Sequence, residues 1–143
     1  IEYGKSEVLY EEEDIAIIFV GHMAELADCV RRSLKETGYS CSLINARFVK
    51  PLDTELLEEL AKDHSLFVTI EENVITGGFG EQVMDYVSRA ALNVHVRNIG
   101  ISDEYVEHGN VEVLRKEVGL DRDAIVKQTI SDYLRIMENK KKR

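Results

Sequence analysis

The residues best suited to chemistry stand close together, in Glu71-Glu72-Asn73 followed by Gly77-Gly78-Phe79-Gly80. Carboxylates beside a glycine turn could serve acid–base chemistry or hold an anion. A glycine turn between a strand and a helix is a setting in which backbone N–H groups cradle phosphate. The spacing does not complete a dinucleotide fingerprint. A G-x-G-x-x-G run counted from Gly78 needs a glycine where Val83 stands, and no P-loop Lys-Ser/Thr follows. The plainer reading is a tight turn that lets a helix approach a sheet closely. Adjacent residues of a strand point to opposite faces, so Glu71 and Glu72 do not form an acid/base pair across one cleft. Either can cap the following loop, or turn inward to the glycine turn or a partner subunit.

Other reactive side chains are scattered. Arg47 and Lys50 stand before Pro51. The planar fork of Arg47 suits a carboxylate or phosphate, although a structural ion pair is its commoner use. His22, His64, His95 and His108 lack metal-ligand spacing with a cysteine or with one another, and neither H-E-x-x-H nor C-x-x-C occurs. His108 lies beside Asp103, Glu104 and Glu107, which favour its protonated form, and reads as a surface or interface residue. His22 follows Gly21 at a helix start, where the dipole disfavours positive charge. No G-x-S-x-G elbow is present. Cys29 and Cys41 read as free thiols of a reducing compartment. These residues make no catalytic centre. Arg47, Glu71, Gly77, Gly78, Gly80 and His108 remain as candidates for an interface or an anion site.

The elements that position them alternate between strand and helix. Ile15 to Val20 is a continuous apolar run, as in a strand covered on both faces. Met23, Leu26, Ala27, Val30 and Leu34 share one helical face, with Gly38 placed to cap its end. Cys41 to Ala46 forms the next strand, and Asp53 caps a helix carrying Leu56, Leu57 and Leu60. Ser65 to Ile70 reads as a central strand, ended by Glu71-Glu72-Asn73. The helix after the glycine turn places Val83, Val87 and Ala91 on one face. Asn93 to Ile99 alternates like a strand near an edge, and Glu7 to Tyr10 adds a short edge strand. Asn110 caps a short helix ended by Gly119. Asp121 caps the last helix, whose stripe is Val126, Ile130, Tyr133 and Met137, and 138–143 forms a frayed tail. Helices between such strands imply βαβ units. The expected fold is a three-layer α/β/α domain over 1–143 with a mostly parallel, roughly five-stranded sheet.

Composition narrows the partners. At 44% hydrophobic and 31% charged, the chain is an ordinary globular domain. Its formal charge of −9 repels phosphate backbones, so nucleic acid is not expected as a partner. No apolar run is long enough to span a bilayer. The N-terminus lacks a signal peptide, and a chain opening at Ile1 without Met reads as a fragment of something longer.

Taken in order, the motifs resemble a known family. Arg47-Phe48-Val49-Lys50-Pro51-Leu52-Asp53 is similar to a loop of transketolase-type C-terminal domains, shared with 2-oxoacid dehydrogenase β subunits. Val68-Thr69-Ile70-Glu71-Glu72-Asn73 with its glycine turn narrows the match. So do Asn98 to Asp103 running on to His108-Gly109, and Gly119-Leu120-Asp121. Together these resemble the C-terminal domain of the 1-deoxy-D-xylulose-5-phosphate synthase family, from about Ile15 to Leu134.

The resemblance implies a cytoplasmic, homodimeric enzyme that condenses pyruvate with glyceraldehyde 3-phosphate, with loss of carbon dioxide, using thiamine diphosphate and Mg²⁺. It also implies that the cofactor is held by thiamine-binding domains N-terminal to this segment. The G-D-G…N motif that holds Mg²⁺ and pyrophosphate is absent here, so no catalytic, cofactor or metal residue carries over. The expected role is to help form the dimer and close off the active-site region. A small-anion-sensing module built on the glycine turn and Arg47 is the reading from another class.

Overall fold

The computed structural model describes residues 4–47, 51–72, 78–101 and 111–142, with 111–120 by backbone only. In chain order the elements are β1 (Glu7–Tyr10), β2 (Asp14–Phe19), α1 (Ala24–Glu36), β3 (Cys41–Asn45), α2 (Thr54–Ala61), β4 (His64–Glu72), α3 (Phe79–Arg89), β5 (His95–Ile101) and α4 (Val111–Lys141). The five strands lie in the order β1-β3-β2-β4-β5. β1 runs antiparallel to β3 and every other pairing is parallel. The alternating apolar runs therefore fold as expected, with β1 and β5 at the edges and β2 and β4 inside.

Strand parity divides the core. Ile15, Ile17 and Phe19 of β2 and Leu66, Val68 and Ile70 of β4 pack with Leu26, Val30 and Leu34 of α1 and with Ile125 and Ile136 of α4. Ala16, Ile18 and Phe67 face the other way, onto Leu57 and Leu60 of α2 and Phe79, Val83 and Val87 of α3. Helices cover both faces, giving the three-layer architecture. Gly38 (φ +99°) follows the end of α1, and Asp53 caps α2 by accepting from Leu56 N at 3.3 Å. No helix among the described residues is long and apolar enough to cross a membrane.

Three local expectations need correction. A single helix, α4, runs from Val111 to Lys141, where two helices broken near Gly119 were expected. Asp121 is thus interior to a helix and caps nothing, and Asn110 lies outside the described residues. Helix also persists to Lys141 where a frayed tail was expected, and Lys140 Nζ donates to Ser65 Oγ at 2.7 Å. Ala91 does not continue the inner face of α3. It lies beyond the helix, exposed, at φ 54°.

Ionic contacts pin both outer helices on one face of the sheet. Glu12, between β1 and β2, accepts from Arg31 Nη2 at 2.5 Å and pairs with Lys35, both on α1. Asp132 of α4 accepts from Arg97 of β5 through Nε at 2.6 Å and Nη2 at 2.8 Å. Hydrogen bonds from Arg97 hold the Asp132 carboxyl below its usual range, and those from Lys35 and Arg31 do the same for Glu12. Carboxyls that bind protons less readily when folded stabilise the fold fully above their unfolded values, about 4. That contribution is lost as pH falls through the depressed folded values. The thermal midpoint of the chain should accordingly fall as pH drops below about 5. Asp132→Asn should be less stable at neutral pH and show a shallower fall. Equal slopes for the two proteins would contradict the assignment.

Candidate functional site: the carboxyl end of the parallel sheet

Ligands of open α/β sheets gather outside the carboxyl ends of the strands, and both candidate glutamates stand there at the end of β4. Parity dictates where each points. Thr69 and Glu71 share a face with Phe67, toward α3, and Glu72 shares the opposite face with Ile70, toward α1.

Glu71 is buried and turned into the start of α3. One carboxylate oxygen accepts from Phe79 N at 3.1 Å and the other from Gly80 N at 2.6 Å. These N–H groups open the helix and would otherwise lack intrahelical partners. Gly78, the N-cap residue, offers no side chain, so Glu71 is a cap supplied from a neighbouring strand. The amides that could have received an external anion are occupied by the protein's own carboxylate. The inward-turned glutamate foreseen in the sequence is therefore present, and it fills the anion position.

Glu72 closes the other face in the same way. Its Oε1 accepts from His22 N at 2.9 Å, in the turn between β2 and α1. Gly21 takes φ +70° in that turn, and a Cβ there would stand 2.9 Å from Glu72 Oε1. His22 contributes its backbone to this contact, and the residue is exposed.

Gly80 is required by proximity. A Cβ on it would lie 2.6 Å from Asn98 Cγ and Oδ1 and 2.8 Å from Thr69 Oγ1. Those two side chains are bonded to each other across β4 and β5, Thr69 Oγ1 donating to Asn98 Oδ1 at 2.7 Å. Arg47 does not join this group. It stands after β3 at φ 60° and pairs with Glu7 of β1 at 2.9 Å, which is the structural alternative considered for it. Gly77 and His108 lie outside the described residues.

A second constellation was not legible in the sequence. Ser42 Oγ lies 2.8 Å from His64 Nε2, and His64 Nδ1 lies 2.7 Å from Asp63 Oδ1. The order Ser–His–Asp resembles a hydrolytic triad. Its surroundings do not permit that use. Ser42 is 0% exposed and His64 4%. The hydroxyl accepts from Glu12 N at 2.8 Å, and Nδ1 also bonds Leu60 O at 2.8 Å. The chain of bonds ties the β1–β2 connection to β3, β4 and the end of α2. Burial likewise pushes the Cys41 thiol up to about 12, which keeps it inert. Among the described residues no group of His, Cys, Asp or Glu is placed to hold a metal ion.

Fold and site together define a three-layer α/β domain in which Glu71 and Glu72, at the end of β4, are bonded to the domain's own backbone amides, and the described residues assemble no catalytic centre. The chain belongs to the transketolase C-terminal domain family, whose model matches residues 4–125. It is similar to 1-deoxy-D-xylulose-5-phosphate synthase of Lachnoclostridium phytofermentans, with 46% identity over 132 residues covering 88% of this chain and 20% of the relative. The same enzyme of Clostridium tetani is 44% identical over 127 residues (89% of this chain, 21% of the relative). That of Aquifex aeolicus is 39% identical over 127 residues (89% and 20%). This chain thus spans about a fifth of the length of these relatives. Among solved structures it resembles a split-gene transketolase, an inactive β4 tetramer. The TM-score is 0.65 and the identity 32%, covering 72% of this chain and 34% of that one.

Proposed function

We propose that this chain is the C-terminal domain of a 1-deoxy-D-xylulose-5-phosphate synthase and that its task is structural: supporting the homodimer and closing off the active-site region. The reaction is the condensation of pyruvate with glyceraldehyde 3-phosphate with loss of carbon dioxide, in the cytoplasm. Thiamine diphosphate and Mg²⁺ would be held by the N-terminal thiamine-binding domains of the same polypeptide.

The observation that carries this reading is the use of Glu71. The carboxylate best placed for chemistry is spent on Phe79 N and Gly80 N. A diphosphate brought to that helix start would meet a buried negative charge in place of free donors, so the described residues do not fit the cofactor. The synthase relatives, at 39–46% identity, favour that enzyme over a transketolase, represented by the neighbour at 32%. Anion sensing by the glycine turn and Arg47 is disfavoured, because Glu71 already accepts from Phe79 N and Gly80 N, and Arg47 pairs with Glu7 of β1 and does not join that helix start.

Deleting this segment from the full-length synthase tests the reading. Activity should be lost, while the remaining domains, if folded by circular dichroism, still bind thiamine diphosphate. Full activity in the truncated enzyme would overturn it.

A further inference from the structure

We propose that the concavity between β5 and the C-terminal half of α4 binds a small oxyanion, a phosphorylated or carboxylated metabolite, through Arg97 and Arg135. This site lies at the opposite end of the sheet from the glutamates, beside His95 at the start of β5, and the inference does not depend on the enzyme reading above.

The cavity has a volume of about 280 Å³ and is lined by Leu66, His95, Arg97, Asp132, Arg135 and Asn139, among others. Its acid is spent inward. Asp132, with its side chain 7% exposed, accepts from Arg97 Nε (2.6 Å) and Nη2 (2.8 Å), Arg135 Nη2 (2.6 Å) and Gln128 Nε2 (3.0 Å). Each guanidinium carries five N–H donors in a rigid plane. Arg97 gives two of them to Asp132 and Arg135 one, and their side chains remain 40% and 62% exposed. The buried carboxylate holds Arg97 by two bonds and Arg135 by one, and the donors left over belong to two side chains that line the cavity.

The pair Arg97–Asp132 is enough to fasten α4 to β5. Arg135 lies on the same helix as Asp132, three residues on, and adds nothing to that fastening. Its presence doubles the positive charge against one carboxylate, so the cluster is net positive in a chain of formal charge −9. Two planar forks in a cavity also lined by Leu66 and Ile136 suit a ligand with several anionic oxygens. Phosphate and dicarboxylate share that chemistry.

The test is a titration of this chain with inorganic phosphate, pyrophosphate and malonate in turn. Ionic strength is held constant with sodium chloride, and amide NMR signals are followed. Saturable shifts centred on Arg97 and Arg135 are expected, with the preference between phosphate and malonate identifying the ligand class. Arg135→Met should weaken binding by about tenfold or more while leaving the fold intact. Arg135→Lys should recover part of the affinity, and Lys142→Met, an equal loss of charge outside the cavity, should leave it unchanged. The proposal fails if no probe gives saturable shifts, or if Lys142→Met weakens binding as much as Arg135→Met. It fails equally if shifts centre on Phe79 and Gly80, or if only an acidic peptide binds, which would make this a protein-docking patch.

Discussion

Replacing Glu71 with alanine should destabilise the domain by about 2–4 kcal/mol, the penalty for stranding two buried amides. The bonds at stake are those to Phe79 N at 3.1 Å and Gly80 N at 2.6 Å, in a residue 6% exposed. No local side chain substitutes, because Gly78 holds the N-cap position. The favourable contact between a carboxylate and the positive end of the helix is lost as well. Glu71→Gln keeps an acceptor oxygen but sets an amide donor against the other N–H, so it should fall between wild type and alanine. Glu72→Gln should have a smaller effect, since Glu72 is half-buried and caps one exposed turn through His22 N. Urea unfolding of the three variants gives the order. A loss below about 0.5 kcal/mol for Glu71→Ala would show that water replaces the carboxylate, and that the sheet end is more open than described.

Gly80→Ala should be destabilising although it lies in a helix. In an exposed helix interior, alanine for glycine is worth about 1 kcal/mol in favour of folding. Here the added methyl would sit 2.6 Å from Asn98 Cγ and Oδ1 and 2.8 Å from Thr69 Oγ1. Overpacking of this kind costs about 1–3 kcal/mol. Asn98 stands on β5 opposite Thr69 of β4, and moving its side chain away from Gly80 would disturb the bond it accepts from Thr69 Oγ1. The net expectation is a loss of about 1–2 kcal/mol, the clash outweighing the propensity gain. Combining Gly80→Ala with Asn98→Ala removes the nearest atoms and should recover part of the loss. The pair would thus be non-additive, as contacting residues usually are. Denaturation midpoints of the single and double variants measure this. Simple additivity would mean that the helix start shifts to avoid Asn98.

The fold was legible because its determinants are local. The apolar runs of β2 and β4, the capped helices and the edge strands follow from periodicity and cap chemistry. The inward turn of Glu71 follows from strand parity and the nearby glycines. What escaped was set by tertiary contact. On α4 the buried line holds Ile125, Thr129, Asp132 and Ile136. Two polar residues interrupt it, so periodicity selected the neighbouring, partly buried line of Val126, Ile130, Tyr133 and Met137. The helix α4 also runs through Gly119, where propensity favoured a break. Asp132 is buried because Arg97, 35 residues earlier in sequence, meets it, and nothing local announces that partner. The Ser42–His64 contact joins strands separated in the same way, by 22 residues.

The central claim, that this domain supports a thiamine enzyme without performing its chemistry, is tested most directly by calorimetry. Thiamine diphosphate with Mg²⁺ is titrated into the isolated chain at millimolar cofactor, with the full-length synthase as the positive control. The account predicts saturable heat from the full-length enzyme and none from this chain. Saturable binding to this chain would contradict it and make this domain a cofactor site.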